Sequence, residues 1–86
     1  MSEFFEISQR ERELYAAMEA ASAKRDEIGR DLYYVILGHG PEGSAAEDEA
    51  RRKLGDAIRE TAAAMSAWAK VYKARKALQV AATEAA

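Results

Sequence analysis

Six consecutive apolar or aromatic residues, followed at once by a glycine-rich turn, constrain this chain more than any other feature. The run at 32–37 reads Leu-Tyr-Tyr-Val-Ile-Leu, and the turn at 38–44 reads Gly-His-Gly-Pro-Glu-Gly-Ser. Each residue advances an α-helix by about 100°, so six in succession reach every face of the helix. One neighbouring helix covers one face only. We therefore expect part of the run to stay exposed on a lone pair of helices.

Length, charge and the lack of cysteine narrow the possible classes of protein. A chain of 86 residues is one domain, of a size at which oligomerisation often adds stability. The absence of cysteine excludes a disulfide scaffold and a zinc-thiolate site. The net charge of −2 gives no overall attraction to nucleic acid. Acids stand where a signal peptide needs bases, and no apolar run is long enough for a membrane span, so we expect a soluble, cytoplasmic protein.

Two capping signals predict where helices begin. Ser8 and Glu11 fit a capping box, so the first helix is predicted at about 8–37. A short extra turn over Phe4, Phe5 and Ile7, or a helix that starts at Ser2, is also compatible with the sequence. Gly38 suits the left-handed cap after its last turn. A second capping box begins at Ser44 and predicts the other helix at about 45–83.

Apolar residues recur three or four apart along both predicted helices, as in a coiled coil. Along the first they are Leu14, Met18, Ala21, Ile28, Leu32 and Val35. Along the second they are Leu54, Ile58, Thr61, Met65, Trp68 and Tyr72. The short connection makes the two helices antiparallel neighbours, so the fold class is all-α: one helical-hairpin domain spanning residues 1–86.

The hairpin predicts which residues meet across the two helices. Leu14 or Tyr15 should meet Trp68, and Gly29 should lie level with Gly55. Two glycines at one level indicate a close approach of the backbones, or else either glycine is merely tolerated in its helix. A strand over 33–37 is the alternative to a helix, but only residues 4–7 could pair with it.

Arginines at 25 and 75 interrupt the two apolar stripes. Arg25 falls level with Asp56, and an ion pair between them is one solution. Otherwise Arg25 is available to bind an anion at a subunit boundary or to fix the register of the helices.

No catalytic or metal-binding constellation can be assembled from the sequence. His39 is the sole histidine and lies in the turn, where a solvated side chain is the ordinary role. No serine has a base at a suitable spacing. The turn 38–44 follows a helix and lacks the Gly-Lys-Ser/Thr ending of a phosphate-binding loop. We therefore expect a protein that is not an enzyme and that carries no metal and no cofactor.

The aromatic and basic segment 68–76 is the best candidate for binding a small ligand. Aromatic rings can stack a base while Lys and Arg hold phosphate. The candidate residues for an anion or a nucleotide are Arg25, Trp68, Tyr72, Lys73 and Arg75. In the alternative interpretation Trp68 and Tyr72 pack in the core, and the bases face the acids of residues 3–13.

The apolar run itself is the candidate interface, either with a partner protein or with a second copy of the chain. Its residues are Leu32, Tyr33, Tyr34, Val35, Ile36 and Leu37, here called the aromatic end. Tyrosine suits an interface because its ring packs while its hydroxyl stays hydrated. Under two-fold symmetry one surface complements itself, so a four-helix dimer or a higher oligomer is expected.

The run Ala-Lys-Arg-Asp-Glu-Ile-Gly at 23–29, with the chain length and the predicted hairpin, resembles small phage-encoded helical hairpins. Some of those proteins sequester cyclic nucleotides to blunt bacterial defence. The resemblance covers 7 of the 86 residues and carries over no site residue.

Three functions remain open at this stage. The favoured one is a non-enzymatic helical interaction module that self-associates and binds or inhibits a partner protein through the aromatic end. The second is an oligomeric binder that holds a nucleotide-like anion between subunits. The third is nucleic-acid binding through the basic half of the second helix, which the net charge makes less favourable.

Overall fold

The protein is a hairpin of two long helices. The computed structural model describes residues 2–39 and 45–85. Helix α1 spans Glu3–Tyr34, the residues Val35–His39 extend it to a kink at Gly38, and helix α2 spans Ala45–Ala85. The described residues contain no strand, so the strand alternative for 33–37 is wrong and the all-α prediction is confirmed.

Cross-helix contacts fix the antiparallel direction. Glu11 contacts Arg75, and Lys24 contacts Glu60, so positions that rise along α1 fall along α2. Tyr15 meets Trp68 with ring centroids 5.9 Å apart, which confirms the predicted level.

Helix α1 begins earlier than the favoured capping box predicts. Ser2 is the N-cap, and its Oγ accepts a hydrogen bond from the Phe5 amide at 3.2 Å. Glu3 and Glu6 then place negative charge at the positive end of the helix dipole. Ser8 lies inside the helix, so the start at residue 8 is wrong. Both serines are residues favoured at an N-cap, but only Ser8 has a glutamate three positions later, and the helix nevertheless has Ser2 as its N-cap.

The C-terminal end of α1 agrees with the prediction. Gly38 adopts φ +86° and ψ 12°, a left-handed conformation that side chains with a Cβ disfavour. Gly40, Pro41 and the Ser44 capping box lie outside the described residues. Glu47 and Asp48 occupy the first turn of α2, where negative charge is favourable.

The most closely packed level of the hairpin is built from small residues. Ala57 is 2% exposed and Thr61 is 1% exposed, whereas Ile58 and Met65 are 51% and 50% exposed. The Thr61 Oγ1 lies 3.2 Å from the Ala21 carbonyl oxygen across the interface. So close an approach leaves no room for large side chains at this level.

The residues of α2 that face α1 therefore differ from the predicted stripe at every second position. Leu54, Thr61 and Trp68 do turn toward α1, but Ile58 and Met65 do not. Ala57 and Ala64 take their places. The prediction chose the larger apolar residues because hydrophobicity alone favours their burial.

The two glycines at one level do not mark a close backbone approach. A Cβ on Gly29 would have the Leu54 Cδ1 at 3.9 Å as its nearest neighbour, and one on Gly55 would meet only the Arg59 side chain. Both are ordinary contacts, so these glycines are tolerated rather than required. Over the residues described, neither helix has an apolar stretch long enough to cross a membrane.

Candidate functional site

The aromatic end buries one face and exposes the rest. Leu32 is 7% exposed, and Val35 is partly buried. Four neighbouring side chains are 43% to 61% exposed: Tyr33, Tyr34, Ile36 and Leu37. This pattern agrees with the expectation that one adjacent helix cannot cover a helix that is apolar on every side.

The local backbone holds these side chains together at one end of the hairpin. The Val35 amide donates to the carbonyl oxygens of Asp31 and Leu32, which closes the last turn of α1. The rings of Tyr33 and Tyr34 meet edge to face, with centroids 6.4 Å apart. The exposed apolar and aromatic side chains therefore lie within little more than one turn of each other at this end of the hairpin.

A second candidate site is a groove toward the other end of the hairpin. It has a volume of about 460 Å³ and is lined by residues of both helices. Its lining residues are Phe4, Ser8, Glu11, Arg12, Tyr15, Trp68 and Arg75. Trp68 contacts Tyr15 on one side and Tyr72 on the other, the latter with centroids 5.2 Å apart and ring planes at 32°. Three aromatic rings thus form a short ladder beside the groove.

The charge in this groove is already paired. The Arg75 Nε donates to a carboxylate oxygen of Glu11, and these two side chains are 21% and 15% exposed. The Arg75 Nη1 also donates to the Gln79 side-chain oxygen at 3.2 Å, and its guanidinium lies 5.4 Å from the centre of the Tyr72 ring. The predicted role of these bases as a complement to the acids of residues 3–13 is confirmed for this pair.

The structure brings together three of the five predicted anion-binding residues. Trp68, Tyr72 and Arg75 are mutual neighbours. Lys73 is exposed and does not line the groove. Arg25 is 14 residues from Glu11 along α1, roughly 21 Å at the rise of an α-helix.

The predicted ion pair between Arg25 and Asp56 is wrong. The Arg25 guanidinium contacts its neighbour Asp26 at 3.4 Å. Asp56 is bound within its own helix by Arg52 at 3.1 Å and by Arg59. Partners three or four residues apart on a helix surface meet without any tertiary constraint, so they compete successfully with a cross-helix pair.

Arg52 also contacts Glu49, with 2.6 Å between Nη2 and the carboxylate. The hydrogen bond from Arg52 lowers the pKa of Glu49, and the same contact raises the pKa of Arg52. This exposed network orders charges along α2 and does not enclose a cavity. Within residues 2–39 and 45–85, no three acidic, histidine or cysteine side chains converge on a possible metal position.

Sequence reasoning missed Phe4, Ser8 and Arg12 as groove residues. It named Glu11 only as one of the acids of residues 3–13 that face the bases of α2, not as part of a binding site. Ser8 was assigned to a cap, yet its Oγ is buried and has no hydrogen-bond partner among the described residues. That hydroxyl is a polar group in the groove that a ligand could satisfy.

No protein-family model matches the chain, and comparison with curated proteins and with solved structures gives no significant match. The geometry of the two candidate sites is therefore the basis for inferring the function.

Proposed function

We propose that the protein is a non-enzymatic helical interaction module that self-associates and binds or inhibits a partner protein through its aromatic end. The observation that supports this most directly is the exposure of Tyr33, Tyr34 and Leu37, at 61%, 57% and 55%. Contiguous exposed apolar surface is unusual on a monomer and is typical of an interaction site. The compartment in this proposal is the cytoplasm.

The composition of the aromatic end indicates the chemistry of the partner. Aromatic residues anchor interfaces, and a tyrosine hydroxyl keeps a hydrogen bond to water or to a partner carbonyl at the rim. The patch lies where two helices join, so it fits a concave apolar surface. We expect the partner to present an apolar groove of this kind.

Tyr34→Glu is the direct test. A carboxylate at the centre of the patch would have to be desolvated on binding, which costs several kcal/mol when it has no partner. Wild-type protein and the variant are immobilised, and the retained proteins are quantified by mass spectrometry. We expect specific partners to be retained by the wild type and lost by Tyr34→Glu.

Ala16→Glu is the matched control, because Ala16 is exposed on α1 and far from the aromatic end. It should retain the same partners as the wild type. An identical retained set for all three proteins would refute the role of the aromatic end. A fall in native mass of Tyr34→Glu by light scattering would instead make this end the contact between copies.

A second candidate function is the binding of a nucleotide-like anion between subunits. The observation that favours it is the ladder of Tyr15, Trp68 and Tyr72 beside Arg75, because aromatic rings stack with a base and a guanidinium binds a phosphate. The pairing of Arg75 with Glu11 counts against it, since an anion would have to displace a carboxylate.

Trp68 is the only tryptophan, so its fluorescence reports directly on this groove. A mononucleotide or cyclic nucleotide that binds there should quench the emission, whereas single-stranded DNA would quench it with a steep salt dependence. Glu11→Gln frees the guanidinium and should tighten phosphate binding by about tenfold or more, and Arg75→Gln should weaken it similarly. Emission that no nucleotide changes in any of the three proteins would exclude this function.

A further inference from the structure

A straight row of apolar residues on α2 lies beside the face that contacts α1. Ile58, Met65 and Tyr72 are seven residues apart, which places them about 10 Å from one another along one line of the helix. Ile58 and Met65 are half exposed, and Tyr72 is partly buried. Ala62 and Ala69 lie between them on the same side of the helix. We call these five residues the apolar row.

The two sides of the hairpin differ in chemistry. The apolar row lies on the side where Tyr72 contacts Trp68 and Trp68 contacts Tyr15. On the other side of the contact, Glu60 pairs with Lys24 across the helices at 3.3 Å. The apolar row itself contains no charged side chain, and the other side of the hairpin is bridged by an exposed ion pair.

The hairpin exposes more surface than a compact chain of the same mass would. A compact monomer of 9.5 kDa exposes about 5,000 Å². This chain exposes 6227 Å², roughly 1,200 Å² more than the compact reference. A stable protein interface buries about 800 Å² on each partner. The surplus follows from the long, thin shape of the hairpin, and it is larger than the area that one partner buries in such an interface.

We propose that the apolar row is the contact between two copies of this chain, arranged by a two-fold axis that passes beside Met65. Met65 is midway between Ile58 and Tyr72, so rotation about that axis brings Ile58 of one copy to Tyr72 of the other and Met65 to its own counterpart. A row with large residues at equal spacing and alanines between them complements itself in this arrangement. The small alanines allow the two α2 helices to approach closely.

This arrangement extends the self-association part of the proposed function and assigns it to the apolar row instead of the aromatic end. The rotation directs the two aromatic ends in opposite directions. Each end then remains accessible to a partner protein. The two functions of the module thereby use separate surfaces.

Opposite charges at position 65 test the axis. Met65→Lys and Met65→Glu each place two like charges face to face and should weaken the dimer by about a hundredfold or more. An equimolar mixture of the two variants should restore a dimer, because each Lys then faces a Glu. The measurement is the native mass by sedimentation velocity over a range of concentrations. The wild type should have twice the chain mass of 9.5 kDa.

Ala63→Lys and Ala63→Glu are the controls, since Ala63 is exposed on α2 and points away from the apolar row. They should dimerise as the wild type does. Met65→Cys provides an independent measurement, because the chain contains no cysteine. Mild oxidation should link Met65→Cys into a covalent dimer much faster than Ala63→Cys, since a disulfide needs its two Cα atoms within about 7 Å.

The possible failures are distinguishable. A wild-type dimer that persists in both Met65 charge variants and forms no disulfide at position 65 would refute the apolar row while leaving self-association intact. Dissociation by Tyr34→Glu alone would assign the contact to the aromatic end. A wild-type monomer at every concentration would refute both the contact through the apolar row and the self-association in the proposed function.

Discussion

Thr61 is the most fully buried side chain of the described hairpin, at 1% exposure. Its single hydroxyl proton has two acceptors within reach, the carbonyl oxygens of Ala57 at 2.9 Å and of Ala21 at 3.2 Å. The first contact lies within α2 and the second crosses to α1. A buried polar group of this kind favours one register of the helices, because a slip would remove the Ala21 acceptor and leave the hydroxyl with its contact inside α2 alone.

Thr61→Val should therefore destabilise the hairpin although it preserves the shape of the side chain. The loss of one buried hydrogen bond costs about 0.5–1.5 kcal/mol. In a domain of this size that lowers the thermal midpoint by about 4–8 °C per kcal/mol, measured by circular dichroism at a fixed protein concentration.

Thr83→Val is the matched control. Thr83 makes the same contact with the carbonyl four residues earlier, at 2.9 Å from Gln79, but it is exposed and this hydrogen bond lies within α2. Its substitution should change the stability by less than about 0.5 kcal/mol. Equal effects at the two positions would show that the bond across the helices contributes nothing.

Each helix places small residues where the other approaches most closely. Ala57 is buried on α2 while the neighbouring Ile58 is exposed, because the hydroxyl contact of Thr61 with Ala21 sets a short separation at this level. The larger apolar residues are displaced to the side of the helix and become available to another molecule. The close approach of the two helices thus explains both the burial of Ala57 and the exposure of Ile58.

Gly29→Ala and Gly55→Ala should each stabilise the hairpin. Both positions lie inside helices, and an added Cβ would meet only ordinary contacts, the closest at 3.9 Å and 3.6 Å. Alanine is favoured over glycine in a helix interior by about 0.5–1 kcal/mol. Thermal unfolding of the single and double variants measures the gain.

Gly38→Ala serves as the opposite case. Its φ of +86° lies in the left-handed region, where a Cβ costs about 1–2 kcal/mol, so this substitution should destabilise. A loss of stability at Gly29 or Gly55 would reveal a constraint on the backbone that the helix contacts do not contain.

The whole molecule is long and thin, with principal dimensions of 64 × 16 × 15 Å. Its buried hydrophobic residues, among those described, are Leu32 and Ala57. Two helices side by side cannot enclose a core, because each has a neighbour on one side only. Stability gained by assembly is the physical consequence we expect of this shape.

Assembly predicts that stability depends on protein concentration. A dimer contributes binding free energy to folding, so the thermal midpoint should rise as the concentration increases. Calorimetry over a hundredfold range measures the slope. Met65→Lys should remove the dependence while Ala63→Lys keeps it. A flat profile for the wild type would contradict assembly through either surface.

The sequence by itself determined the number, type and direction of the elements. Helix-forming composition, two apolar stripes and the break at Gly38 lead to an antiparallel helical hairpin, since these signals are local. The level of Tyr15 and Trp68 followed from counting outward from the turn. The exposure of the aromatic end followed from its six apolar residues, which one neighbouring helix cannot cover.

Only the tertiary structure decided which face of α2 is buried. The rotation that exposes Ile58 and Met65 depends on the distance between the helices, and that distance is set by the contact of Thr61 with Ala21 across 40 positions of sequence. Arg25 and Asp56 each pair with residues nearer in sequence, because those contacts are similar in energy to the predicted pair across the helices. Hydrophobic periodicity reports the width of an apolar stripe but not its centre, because small and large residues exchange places when two helices approach closely.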